Sequence, residues 1–222
     1  MRTWLLAVSQ LVKKPFEING PFFSNCETRQ IARSSVQVAG KSAPAPDKNS
    51  SGTGAQSMLL RALSPADLPD LDRIQASCYG TSMLESTSVL ADRLLAAPDW
   101  IWGIQDGAGL CAYLFTYPTH QGRLSPLNSG FRPAPDGDTL YLHDLAVHPR
   151  ARGLGLPQRL IRQAWGRARK AGLRHSALIS VQDSEHFWAT HGYRTRTELD
   201  DHQRACLASY EQPARYMTRL LD

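Results

Sequence analysis

After residue 57 the spacing of apolar residues switches repeatedly between the two-residue period of a half-buried strand and the roughly 3.6-residue period of an amphipathic helix. MLLRAL, residues 58–63, predicts a short strand. Ser64-Pro65 then reads as a helix start with proline in the first turn, and Leu68, Leu71 and Ile74 fall on one face. A second helix is predicted over residues 88–95. WIWGIQ and LCAYLFTY, residues 100–105 and 110–117, flank the turn Asp106-Gly-Ala-Gly109 and predict a hairpin. A loop over residues 118–138 with four prolines follows, and then the strand TLYLHDLAV at 139–147. The next helix carries Leu160, Ile161, Ala164, Trp165 and Ala168 on one face and turns Arg159, Arg162, Arg167 and Lys170 away from it. A strand at 176–181, a helix at 183–192 and two strands at 193–199 and 214–221 complete the series. The order β-α-α-β-β-β-α-β-α-β-β is that of a mixed α/β (α+β) domain.

Upstream the pattern fades. Residues 40–57, GKSAPAPDKNSSGTGAQS, contain almost only small and polar residues and cannot bury enough apolar area to offset the entropy of ordering. They read as a linker, and residues 1–57 as a poorly ordered extension or the product of an upstream start, with Met58 as an alternative beginning. The folded domain is expected over 58–222. The initial MRTWLLAVSQLVKKPF has an apolar run broken by Ser9 and Gln10 and no convincing small-residue cleavage site, so neither export nor a membrane span is expected.

Charge changes the picture only once it is divided. The chain carries 25 Lys and Arg against 20 Asp and Glu, but residues 1–57 hold seven against three, leaving eighteen against seventeen beyond them. A nearly neutral domain gives no electrostatic argument for nucleic acid. Cys26, Cys78, Cys111 and Cys206 are scattered without metal-ligand spacing, which predicts buried, reduced thiols, a cytoplasmic protein and no metal centre.

The chemistry-bearing stretch is HDLAVHPRARGLGLPQRLI, residues 143–161, where a strand runs into two arginines and two glycines at the mouth of a helix. Unpaired amides at a helix N-terminus bind anions, and glycine admits the ligand to the backbone. A P-loop needs Gly-Lys-Ser/Thr, which is missing; a dinucleotide fold needs a third glycine where Gln158 stands and an acid where Val181 stands. Arg150-x-x-Gly153-x-Gly155 instead matches R/Q-x-x-G-x-G/A. With the preceding Leu-Ala-Val-His-Pro and the later FWATHGY, residues 58–222 resemble the GNAT N-acetyltransferases.

That resemblance implies a central mixed sheet of about six or seven strands flanked by about four helices, and acetyl-CoA as co-substrate. Arg150, Arg152, Gly153, Leu154, Gly155 and Leu156 would wrap the pyrophosphate, with Pro157 costing at most one amide donor. The backbone of Leu145, Ala146 and Val147 would pair with the pantetheine arm. Ser184 is a helix cap or a coenzyme contact. Trp188 stands where the family's thiolate-protonating tyrosine is common, and is either a coenzyme contact or core. An alkylamine is almost wholly protonated at neutral pH, so a base is needed. The resemblance assigns this to His143, whose alternative is a half-buried strand residue. Asp144, expected on the opposite face by strand alternation, would attract a cationic acceptor or anchor a loop. The implied activity is acetyl transfer to a primary amine of a small molecule by a monomer or homodimer. A peptide N-acetyltransferase and a non-catalytic acyl-CoA-binding module are the alternatives.

Overall fold

A computed structural model describes residues 57–221; the expected extension, Cys26 included, lies outside them. The sheet comprises β1 (Leu59–Ala62), β2 (Ile101–Asp106), β3 (Gly109–Thr119), β4 (Thr139–Val147), β5 (His175–Ser180), β6 (Arg194–Thr195) and β7 (Arg215–Leu220). Its spatial order is β1-β2-β3-β4-β5-β7-β6. Neighbours are antiparallel except β4 and β5, and that parallel pair is joined through a helix, as a parallel connection requires.

The helices are α1 (Leu68–Cys78), α2 (Thr87–Ala96), α3 (Leu156–Lys170), α4 (Glu185–Thr190) and α5 (Asp201–Leu207). In α1 the stripe Leu71, Ile74 and Cys78 is buried, and in α3 Leu160, Ile161, Ala164 and Ala168 are, as the helical period predicts. β3 is buried along nearly its whole length because helices cover the sheet there.

Two expectations change. The strand anticipated over 193–199 shortens to Arg194–Thr195, and the chain then forms α5, which was not expected. The signal for α5 was present: Asp200 accepts the Gln203 N–H at 2.7 Å while the Gln203 side chain accepts the Asp200 N–H at 3.1 Å, a reciprocal capping box. The alternating Arg-Thr-Arg-Thr masked it. With α5 the helices number five among the described residues.

Candidate active site

β4 stays paired with β3 as far as Val147, opposite Ala112, whereas its parallel ladder with β5 ends at Leu142, opposite Leu178. From His143 to Val147 the edge of β4 that faces β5 is therefore outside the ladder. Leu145, Ala146 and Val147 lie on this stretch with their side chains buried. An extended ligand with amide groups can add to such an edge as a strand would.

The same strand runs directly into the glycine turn. His148 caps a 3-10 turn over Pro149–Ala151, its Nδ1 accepting the Arg150 N–H at 3.2 Å. Gly153 and Gly155 then take φ values of +81° and +67°, a region that side-chain-bearing residues rarely enter. A Cβ at Gly153 would meet nothing within 4 Å, and one at Gly155 only Gln158 Oε1 at 3.9 Å, so the backbone here is open to a ligand. The first helical bond runs from the Arg159 N–H to the Gly155 carbonyl at 3.3 Å. The amides of Gly155, Leu156 and Gln158 thus precede the ladder, and Pro157, second in the helix, removes one donor from the set. Leu156 is buried beneath the turn and Leu154 is exposed above it.

The two arginines part company. Arg152 has Nε and Nη2 buried with no hydrogen-bond partner among the described residues. Arg150, expected beside it, instead pairs with Asp106 and donates to the carbonyls of Gly109 (3.1 Å) and Leu110 (3.2 Å). Its hydrogen bond holds the Asp106 carboxyl below the ordinary range. Arg150 ties the β2–β3 hairpin to the turn.

At the point where β4 leaves β5 its register with β3 also breaks: Leu142 lies opposite Thr116 and Asp144 opposite Phe115, so His143 is an extra, unpaired residue. This is a β-bulge, and bulges re-aim side chains. His143 and Asp144 consequently do not point to opposite faces, as simple alternation predicts. His143 packs with Tyr141 and Phe131, and Phe131 with Phe115; Phe115 packs on Tyr113, whose hydroxyl donates to Asp144 Oδ2 at 2.7 Å. Tyr79, at the end of α1, donates to the other Asp144 oxygen. Both carboxylate oxygens of Asp144 are thereby engaged by phenols, and the residue as a whole is partly buried. Burial pushes its carboxyl up, and the nearby charge of Glu85 adds to this against the two tyrosine donors.

Sequence reasoning missed Glu85 and Arg93. Glu85 Oε1 lies 3.3 Å from His143 Nε2, accepts the Asn128 N–H at 2.8 Å, and shares the carboxylate with the Arg93 guanidinium. Arg93 is fully buried and also donates to the Ser129 carbonyl at 2.7 Å, with Phe131 stacked 4.7 Å from its charge. Burial alone would raise the Glu85 carboxyl, but His143 and Arg93 outweigh it and hold the group well below the ordinary range. A buried arginine on an otherwise amphipathic helix was the available signal, because such a charge demands a partner. The cluster also pins loop 118–138 over the bulge. His143 Nδ1 is buried and has no hydrogen-bond partner.

Ser184 occupies the N-cap position of α4, but its hydroxyl bonds Ser180 Oγ at 2.9 Å rather than the helix, and it is buried. Trp188 is 3% exposed among Phe187, His191 and Tyr193, with its indole N–H unpartnered. Its geometry is that of core. Outside the bulge cluster, loop 118–138 and the N-terminal end of α5 enclose a cleft of about 860 Å³. Among the described residues no group of His, Cys, Asp and Glu has the makings of a metal site, no helix is long and apolar enough to cross a membrane, and Cys78, Cys111 and Cys206 are buried and outside any disulfide.

Comparison with known proteins agrees with the geometry. The acetyltransferase (GNAT) family matches residues 70–193. Similar solved structures include the loading GNATL domain of CurA from Lyngbya majuscula, with a TM-score of 0.59 at 12% identity over 73% of this chain and 96% of that one. The ribosomal-protein-S18-alanine N-acetyltransferase from Escherichia coli has a TM-score of 0.52 at 14% identity, covering 75% and 95%. PaiA N-acetyltransferase from Thermoplasma acidophilum, in complex with coenzyme A, has 0.52 at 13%, covering 74% and 99%. At these identities the likeness is one of fold. Curated proteins return no significant match. A family match over more than half of the sequence, on a fold whose free strand edge opens into a glycine-lined helix mouth, establishes that the chain belongs to the acetyltransferase (GNAT) family.

Proposed function

We propose that the protein transfers the acetyl group of acetyl-CoA to a primary amine of a small molecule. The observation that carries this reading is the continuity of the free β4 edge, His143–Val147, with the open turn at Gly153 and Gly155. The turn's amides and the unpartnered Arg152 suit a pyrophosphate, and the β4 amides suit the pantetheine arm. When bound, the coenzyme supplies a thioester carbonyl; a C–N bond forms there as the C–S bond breaks.

The chain's own task is the proton. Glu85, held ionised by Arg93, favours the His143 tautomer with hydrogen on Nε2, which leaves the Nδ1 lone pair to take the proton of the attacking amine through water, since that nitrogen is itself buried. Asp144, capped by Tyr79 and Tyr113, braces the bulge rather than meeting the acceptor. The bulge residue thus serves as base and its buried neighbours as positioning residues.

A second reading, a non-catalytic acyl-CoA-binding module, is favoured by Trp188, whose indole does not protonate a leaving thiolate. A thiol of pKa about 8.5 nonetheless departs tolerably as thiolate, so the catalytic reading is preferred. Release of free coenzyme A thiol from acetyl-CoA, followed across amines, amino acids and peptides, separates the two. Acceptor-dependent release supports catalysis, and tight acetyl-CoA binding with no release above the acceptor-free rate overturns it in favour of the module.

A further inference from the structure

We infer that the cleft formed by loop 118–138 and α5 is an acceptor site for amines that carry an anionic group, a carboxylate in the simplest case, held by Arg123 and Arg132. The inference rests on the acyl-transfer reading above and adds the substrate class to it.

The cleft measures about 860 Å³, within the range of small-molecule sites, and its apolar walls are Tyr117, Leu124 and Phe131. Phe131 is the wall between the cleft and the proposed base, because the ring that lines the cleft lies 5.3 Å, centroid to centroid, from His143. The loop that builds the cleft is anchored to the catalytic cluster through the Asn128 N–H on Glu85 and the Ser129 carbonyl on Arg93.

Its lining carries two arginines against one acid. Arg123 and Arg132 both line the cleft and are exposed. Neither cleft arginine forms an ion pair among the described residues, a condition shared with arginines elsewhere, but here two such guanidiniums line one cleft. Among the described residues the acid in the lining is Asp200, whose Oδ1 accepts the Gln203 N–H at 2.7 Å. On the loop itself, Asp136 lies 3.5 Å from His120, and Asp138 accepts the Gln121 N–H at 2.9 Å. Two guanidinium forks beside apolar walls suit a carboxylate or a phosphate, and their field repels a second cationic centre on the acceptor. The acid that could have favoured a polyamine, Asp144, has both carboxylate oxygens engaged by Tyr79 and Tyr113 and does not line the cleft.

The test uses the full chain, acetyl-CoA and matched acceptors: α-amino acids against their carboxamides, aminoalkyl phosphates, and linear diamines. Amidation removes the negative charge and also lowers the amine's own pKa, a change that by itself favours the amide. A higher kcat/KM for the acids is therefore diagnostic. Arg123→Gln/Arg132→Gln should raise KM for the acids by roughly tenfold or more, the scale of one charge-assisted hydrogen bond, with kcat nearly unchanged and diamine turnover unaffected or improved. Both side chains are exposed, so an unchanged melting temperature is expected of the variant. A preference for aminoalkyl phosphates over carboxylates identifies phosphate as the anion. Calorimetric titration of the N-acetyl amino acids into wild type and variant gives a readout without turnover. Affinity lost in the variant supports the site even where no amine is acetylated, in which case only the catalytic reading falls. Equal affinity in both proteins, or equal kcat/KM for acids, amides and diamines, overturns the inference.

Discussion

Glu85 Oε1 and His143 Nε2 lie 3.3 Å apart although 58 positions separate them in the chain, and both side chains are almost completely buried. The pair gives the bulge residue a fixed orientation and one free ring nitrogen. His143→Gln, which roughly preserves volume in the aromatic cluster, should lower kcat by about 10²–10⁴ at neutral pH while leaving acetyl-CoA affinity intact. The deficit should shrink as pH rises and more of the acceptor amine is already neutral. Steady-state pH–rate profiles beside coenzyme titrations check this; an unaltered profile removes His143 as the base.

Glu85 also links stability to acid. Its carboxyl lies below its unfolded value, so its contribution is complete above the unfolded pKa of about 4.3 and is lost as pH falls through the folded one. Wild-type melting temperature should therefore drop steeply on acidification below that value. Glu85→Gln should be less stable at neutral pH by about 3–5 kcal/mol, because Arg93 is left buried without its carboxylate, and should lose less on further acidification. Thermal melts from pH 3 to 8 read both effects.

Asp144 has the opposite sign. Burial raises its folded pKa, so the native state keeps a proton that the unfolded chain has released, and stability falls as pH rises through that window. Asp144→Asn does not titrate, and its stability relative to wild type should improve from acid to neutral pH. Because both carboxylate oxygens are engaged by Tyr79 and Tyr113, the substitution should leave KM for cationic amines unchanged. A raised KM would place this side chain at the acceptor after all.

The left-handed turn should be the coenzyme's point of entry. At φ +67° a β-branched side chain is strained by about 1–3 kcal/mol and stands where a phosphate would approach. Gly155→Val should weaken acetyl-CoA binding by tenfold or more in a protein that still folds. Calorimetry reads the affinity and circular dichroism the fold.

We propose that the domain folds without residues 1–57. A chain beginning at Met58 keeps β1 and the Met58 carbonyl that accepts from Arg159 at 3.2 Å. Its melting temperature should lie within a few degrees of that of the full chain, and a large loss would show that the extension packs on the domain.

Much of this was legible in the sequence because it is local. The two-residue period of TLYLHDLAV, the helical stripe of α3 and the paired glycines between them each depend on residues a few positions apart, and they sufficed for the element order as far as α4, the glycine turn at the mouth of α3 and the family resemblance. The strand over 193–199 misled because alternation alone does not reveal whether a neighbour is there to pair with; only two of its residues meet β7. The rest was decided by contacts between distant segments. Strict alternation placed His143 and Asp144 on opposite faces, and the bulge opposite Phe115 and Thr116 brought them into one cluster, because register belongs to a pair of strands and not to either alone. Arg150 and Arg152 look equivalent in sequence, and only the tertiary structure gave Asp106 to one and left the other without a partner among the described residues. Glu85 and Arg93 carry no motif. Their meaning arises when folding buries two opposite charges beside His143, where low dielectric makes either charge costly without the other.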